Sequence, residues 1–165
     1  MGLEPDGSSG FPWLNVILLI ILTFVNGFFS ASEIAVITLN DAKVAKMAEE
    51  GNKKAAAVQK LTKNSNRFFS TIQICITFSG FLNAAAGAQS FSTPLAAALA
   101  RVLPVSYSTL SNVSFIVITI LISFISIVFG ELLPKQIGLH RAESFALRYG
   151  SFLNGVAVLF TPLVK

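Results

Sequence analysis

Oxygen-bearing side chains interrupt three long apolar stretches of this 165-residue chain, and they are the groups that could bind a ligand there. In the first stretch Asn26, Ser30 and Glu33 lie at i, i+4 and i+7, so they share one face of a helix. Ser32 lies about 200° round the helix from Ser30, and both serines would face one ligand only if the helix unwinds near Gly27. The alternative is that each serine bonds back to a carbonyl of its own helix and that Glu33 sits at the membrane interface.

The second stretch carries one side chain with a large hydrogen-bonding requirement. The amide of Asn83 has four hydrogen-bonding positions to satisfy, so it is either a link between helices or an ion ligand, and the residues alone favour neither. Gly80, Ala84 and Gly87 are small residues at helical spacing, which is typical of close helix packing. Pro94 is predicted to end or kink this helix.

The third stretch ends in the most specific pattern, GELLPK at 130–135. Pro134 has no N–H, so the carbonyl of Gly130 loses its helical partner. Glu131 follows directly, which places a free carbonyl beside a carboxylate, and hard cations prefer such oxygen ligands. Lys135 lies at i+4 from Glu131 and is predicted to pair with it when no cation is bound. The alternative is a proline-terminated helix with an interfacial glutamate and a lysine that reaches the membrane surface.

The low charge content of the chain indicates what kind of structure carries these polar groups. The chain is 53% hydrophobic and 12% charged, whereas an ordinary soluble domain is about 25% charged. Residues 11–32, 68–100 and 102–130 contain no charged side chain, and each run exceeds the roughly 20 residues that a spanning helix needs. We therefore predict an all-α membrane protein, with three transmembrane helices over residues 11–139.

The basic residues predict the orientation of the spans. Six lysines lie within residues 40–66, between the first two spans, and none precedes the first span. By the positive-inside rule, residues 1–10 form a flexible extracellular N-terminus and the C-terminus is cytoplasmic, in a multi-pass protein of the cell (plasma) membrane. Anionic lipid accounts for these bases, so no nucleic-acid partner is expected.

Two further segments are predicted to lie at the cytoplasmic membrane surface. Residues 40–66 form a juxtamembrane helical hairpin, because Gly51 and Asn52 are a good helix stop between two segments with apolar faces. The uncharged run 149–164 has about 16 residues, which is short for a span. Residues 140–165 are therefore expected to form a C-terminal interfacial helix.

Taken together, the polar motifs resemble the transmembrane domain of the CNNM/CorC magnesium transporter family, also called CorB. The matching pieces are FFSASEIA at 28–35, SGFLN at 79–83 and GELLPK at 130–135, and the resemblance covers roughly residues 12–165. Members of that family continue into cytoplasmic CBS domains that bind ATP. This chain is expected to be the membrane part, without those regulatory domains.

The resemblance implies a homodimeric transporter or exporter of Mg²⁺ in the lipid bilayer, with Na⁺ as the candidate coupling ion. The ion would lie between the three spans, in a cavity open to the cytoplasm. The ligands implied are Ser30, Ser32, Asn83 and Glu131, completed by backbone carbonyls near Gly80 and Gly130. All are oxygen donors, as a hard cation requires. One carboxylate against a divalent ion leaves about one net positive charge, which predicts weak binding.

Three other classes of function are alternatives to transport. The strongest is a dimeric membrane module that does not transport but senses Mg²⁺ and regulates another transporter. An enzyme is disfavoured, because His140 is the only histidine and neither an HExxH nor a GxSxG motif occurs. The single cysteine, Cys75, allows no intrachain disulfide and no cysteine-based metal cluster. A channel would usually carry a ring of charge that one acidic residue per subunit does not supply.

The interfacial helix gives the first testable prediction, which concerns membrane topology. In a Cys75→Ser background, a cysteine introduced at position 165 should resist an impermeant maleimide applied to intact cells and react after the cells are opened. A cysteine at position 8 should show the opposite pattern. Labelling of position 165 from outside would mean that the last helix crosses the bilayer.

Overall fold

The computed structural model describes residues 13–164, so the N-terminal segment 1–10 lies outside the described residues. Within residues 13–164 no strand occurs, and three helical runs are long and apolar enough to span a membrane. The predicted all-α membrane fold is confirmed. The elements are α1 (Trp13–Ile37), α2 (Asp41–Glu49), α3 (Lys53–Lys63), α4 (Ser65–Leu99), α5 (Tyr107–Ile127), a π-helical turn (Val128–Leu132), α6 (Leu133–His140), α7 (Ala142–Leu159) and α8 (Thr161–Val164). The three spanning runs are α1, α4 and the continuous run Tyr107–His140.

The predicted hairpin between the first two spans is present as α2 and α3. Gly51 has φ of 90°, a conformation that glycine adopts without steric cost, and it ends α2. The Asn52 side chain then accepts hydrogen bonds from the backbone N–H groups of Lys54 and Ala55, which caps the start of α3. Asn40 caps α2 in the same way. Local cap chemistry therefore places this turn where the sequence predicts it.

The second span, α4, differs from its prediction at one point. The helix runs through Pro94 to Leu99, so Pro94 does not end it, and the alternative of a kink at Pro94 remains a prediction. Pro94 is exposed and lies near the last turns, where one lost backbone bond costs little against the packing of buried Ala96. At 1.5 Å per residue the helix is about 50 Å long. It is therefore longer than the roughly 30 Å hydrocarbon core.

The small residues of α4 serve two different purposes. A Cβ on Gly87 would lie 2.6 Å from Ile122 Cγ1, so Gly87 allows the close packing on α5 that the sequence predicts. A Cβ on Gly80 would meet no described atom within 4 Å. Gly80 therefore faces open space rather than a neighbouring helix.

The hydrophobic core lies at the end of the molecule that carries the hairpin. Two clusters of buried side chains join α1 and α4 to α2, α3 and α7 there. By contrast, only 22% of the apolar window of α1 is buried. Spanning helices can expose apolar side chains because lipid solvates them as well as a protein interior does. The main buried members are Val36, Val44, Ala55, Val58, Leu61, Phe68, Ile72, Ile76, Ala146, Leu153 and Ala157.

The C-terminal helix α7 packs against α3 and α1 rather than standing apart. Lys43 of α2 forms an ion pair with Glu143 of α7, although both side chains are about half exposed and the pair contributes little stability. Within residues 13–164, α7 is not among the helices apolar and long enough to span a membrane. Its interfacial position remains a prediction.

Helix α6 lies unusually close to α1. A Cβ on Gly138 would lie 2.5 Å from the carbonyl oxygen of Ala31, so only glycine fits there. This close approach holds the Glu33 end of α1 opposite the start of α6. The distance between these two helices therefore depends on Gly138.

Gly138→Ala should consequently destabilise the protein. A methyl group cannot displace backbone, and overpacking of this kind costs about 1–3 kcal/mol, which lowers Tm by roughly 2–12 °C. Gly155→Ala is the matched control, because its Cβ would meet no described atom within 4 Å and alanine favours helix. Thermal melting in detergent distinguishes the two. Equal Tm values would mean that α1 and α6 are not in close contact.

Candidate functional site

The site is built on the distorted helix around Pro134. Because Pro134 cannot donate to the carbonyl four residues earlier, the helix widens into the π-helical turn Val128–Leu132, in which the N–H of Leu133 bonds to the carbonyl of Val128. The carbonyl of Gly130 is then available, and Ser30 Oγ of α1 donates to it at 3.1 Å. The sequence predicts an accessible Gly130 carbonyl, but it does not predict the π-helical turn.

Asn26 lies one turn before Ser30 on the same face of α1, and it packs on Gly130. A Cβ at Gly130 would lie 2.9 Å from Asn26 Nδ2, so glycine is needed for this contact. Asn26 is 4% exposed, and its Oδ1 accepts no hydrogen bond from any residue of 13–164. A buried acceptor without a partner is costly. Asn26 Oδ1 is therefore a candidate ligand atom.

A cavity of about 250 Å³ lies beside these groups, between α1, α4 and the third span. This volume is large enough for several water molecules, each of which occupies roughly 30 Å³. Gly80 opens onto it from α4 and Glu131 from the π-helical turn. The lining residues are Asn26, Gln73, Ile76, Thr77, Gly80, Phe81, Ala84, Ser123, Ser126, Ile127 and Glu131.

Asn83 joins the three spans next to this cavity. Its Nδ2 donates to Thr23 Oγ1 of α1 at 2.9 Å and to Ser126 Oγ of α5 at 2.6 Å. Its Oδ1 is buried and accepts no hydrogen bond within the described part of the chain. The amide nitrogen of Asn83 therefore links helices, as one of the two alternatives from sequence expects. A ligand role for its oxygen remains a prediction.

Three charged side chains meet where α1 faces α6. Lys135 Nζ lies 2.8 Å from Glu131 Oε1, so the predicted i,i+4 pair is confirmed. The same Nζ lies 3.3 Å from Glu33 Oε2 of α1. This second contact was not predicted from the sequence, because it depends on the packing of α6 against α1. Glu131 thus faces both the cavity and a lysine.

The six residues predicted as ligands are not all brought together. Ser30 donates to the carbonyl of Gly130, and Glu131 lines the cavity together with Gly80. Asn83 is not among the lining residues, but it is bonded to Ser126, which is. Ser32 instead donates to the carbonyl of Phe28 at 2.6 Å, because α1 stays helical through Gly27 and does not unwind. A direct contact of Ser32 with an ion therefore remains a prediction.

Sequence reasoning left several polar groups of the cavity out of the ligand set. Asn26 is not in the predicted ligand set, although it shares a helical face with Ser30 and Glu33, a pattern that could have indicated a ligand. Ser123 and Ser126 are an i, i+3 pair within an apolar span, a pattern that could have indicated a polar wall. Among the described residues no three His, Cys, Asp or Glu side chains are grouped in a way that could hold a metal ion. A cation here would depend on hydroxyl, amide and carbonyl oxygens beside Glu131.

Three apolar helices around a cavity that several polar side chains line define a multi-pass, all-helical membrane domain. Residues 17–165 match the CNNM family, described as the cyclin M transmembrane N-terminal domain. The chain belongs to this family.

Several curated proteins are similar to the chain. A UPF0053 protein of Synechocystis is 34% identical over 92% of this chain and 34% of its own length. The UPF0053 protein YhdP of Bacillus subtilis is 31% identical over 82% of this chain and 30% of its own length. A protein of Haemophilus influenzae named as a polyamine export protein is 27% identical over 90% and 34%. The chain therefore spans about a third of the length of these relatives.

The link through Asn83 can be tested by a double-mutant cycle. Asn83→Ala and Ser126→Ala should show a coupling of about 0.6–1.7 kcal/mol in unfolding free energy, the range of hydrogen bonds between membrane helices. Ser114→Ala is the control, because Ser114 is an equally buried hydroxyl of α5 whose Oγ has no partner among residues 13–164. Additive effects of Asn83→Ala and Ser126→Ala would contradict the link.

Proposed function

We propose that this domain transports Mg²⁺ across the membrane, exporting it from the cytoplasm. The observation that carries the proposal is a pair of buried amide oxygens, Asn26 Oδ1 and Asn83 Oδ1, without partners in the described chain, between spans that also present Glu131. Hard divalent cations prefer oxygen ligands of this kind. An ionisable residue within a span is costly and tends to mark an ion pathway.

The charge of the site fits a transported ion better than a permanently bound one. Glu131 offsets only one of the two charges of Mg²⁺, and neutral oxygens supply the rest of the attraction. The cavity leaves room for some of the waters that Mg²⁺ releases reluctantly. Binding should therefore be weak, and release correspondingly easy. Na⁺ is proposed as the coupling ion, since the same oxygens accept it with a smaller dehydration cost.

We propose further that the transporter is a homodimer. The small residues Gly87 and Ala88 are already buried within one chain, so they are not free to form the contact between two copies. The exposed face of α4 carries Phe78, Phe81 and Leu82, which would supply the packing area instead. Detergent-corrected light scattering tests this assembly.

A second candidate substrate is an organic polyamine. It is favoured by one observation, namely that the primary ammonium of Lys135 lies between the carboxylates of Glu33 and Glu131. The terminal ammonium of a linear diamine would make the same contacts. The name of the Haemophilus influenzae relative points in this direction.

Glu131→Gln should abolish most Mg²⁺ binding. It keeps the size and one oxygen but removes the one charged group among the described residues that line the cavity, so affinity should fall at least about tenfold. Asn83→Ala should have the smaller effect, because water can replace a neutral ligand in a polar site. Titration calorimetry gives the affinity for Mg²⁺. Flux into liposomes is measured for Mg²⁺ with an enclosed dye, and separately for a linear diamine.

Glu143→Gln is the matched control, because this glutamate also pairs with a lysine but lies outside the cavity. Its affinity for Mg²⁺ should equal that of the wild type. Wild-type affinity in Glu131→Gln would refute the site. Binding without any flux would favour the sensing module over the transporter, and flux of the diamine alone would favour the second candidate.

A further inference from the structure

The ammonium of Lys135 lies between two carboxylates, a position to which a bound cation would also be attracted. Its Nζ contacts Glu131 Oε1 at 2.8 Å and Glu33 Oε2 at 3.3 Å, and these carboxylates come from different helices. We infer that Lys135 is a tethered competitor of the transported ion for Glu131, and that Glu33 holds the lysine when the ion binds. The inference rests on the proposed function, because it concerns the same site.

The geometry allows this exchange without movement of the backbone. The side chains of Lys135, Glu131 and Glu33 are 32%, 36% and 19% exposed, so the lysine is not locked by packing. A lysine side chain is flexible and places its charge at a point, so a small rotation changes its partner. The close contact of Gly138 with Ala31 keeps Glu33 within reach of that rotation.

The energetics favour the exchange when the incoming ion is divalent. A divalent ion bound to Glu131 repels the nearby ammonium of Lys135. The ammonium then moves toward Glu33 and keeps one of its two ion pairs. When the ion leaves, Lys135 returns and Glu131 is not left as an unpaired charge in a low dielectric. A monovalent ion has only the same charge as the ammonium and therefore displaces it poorly. Lys135 should thus weaken all cation binding and select divalent over monovalent ions.

Neutralising the lysine should tighten binding rather than weaken it. In Lys135→Gln the whole chain in detergent should bind Mg²⁺ at least about fivefold more tightly, with slower flux in liposomes and stronger competition by Na⁺. Lys43→Gln is the matched control, since it removes the same charge from a pair outside the cavity. It should change neither affinity nor competition.

The role of Glu33 can be tested in the wild type and in the Lys135→Gln variant. Glu33→Gln should lower Mg²⁺ affinity in the wild type, because it removes an attractive charge and leaves Lys135 on Glu131 alone. In the Lys135→Gln background the same change should have a clearly smaller effect, since only the loss of attraction remains. Equal effects in the two backgrounds would contradict the exchange of partners.

Chemical rescue keeps the inference testable if the variants differ in folding. Ethylammonium should compete with Mg²⁺ in Lys135→Ala, where its ammonium can take the vacated place, and should not compete in the wild type. Unchanged or weaker Mg²⁺ binding in Lys135→Gln, with no effect of ethylammonium on Lys135→Ala, would overturn the inference. A wild-type protein that binds no Mg²⁺ would instead refute the proposed function, and this inference with it.

Discussion

Pro134 removes one backbone hydrogen bond from the third span, and the arrangement of the site follows from that loss. A carbonyl without a partner inside a bilayer costs several kcal/mol, so a spanning helix must satisfy it in another way. The helix widens into a π-helical turn, and Ser30 of α1 donates to the carbonyl of Gly130. This bond and the packing of Asn26 on Gly130 hold the polar face of α1 against the turn that carries Glu131. The missing N–H of Pro134 therefore widens the helix and also frees the carbonyl that binds to α1.

The apolar core and the polar groups of the cavity lie in different parts of the molecule. Buried apolar side chains are concentrated at the hairpin end, where α1 and α4 meet α2, α3 and α7. The spanning segments are held mainly by close backbone contacts such as Gly138 on Ala31, and by hydrogen bonds such as those of Asn83. This division lets the cavity keep amide oxygens without partners from residues 13–164, because stability is supplied elsewhere.

The features that could be predicted from sequence are those set by local chemistry. Uncharged runs predicted three spans, the Gly51-Asn52 stop predicted the hairpin, and i,i+4 spacing predicted the pair of Glu131 and Lys135. The features that escaped prediction depend on packing between helices. No pattern near Glu33 shows that Lys135 will reach it, since that contact requires α6 to lie against α1. Pro94 shows the same limit, because the helix continues past a residue expected to end or kink it.

The position of a bound ion between the three spans can be measured by anomalous diffraction. Crystals of the whole chain grown with Mn²⁺ would give an anomalous peak, and a second set grown with Mg²⁺ would show whether the smaller ion takes the same place. We expect one peak per chain in the cavity, about 2.0–2.3 Å from oxygens of Glu131 and of at least one of Asn26 and Asn83. A peak placed only at the exposed ends of the helices, or a cavity that stays free of metal while both ions are in excess, would contradict it.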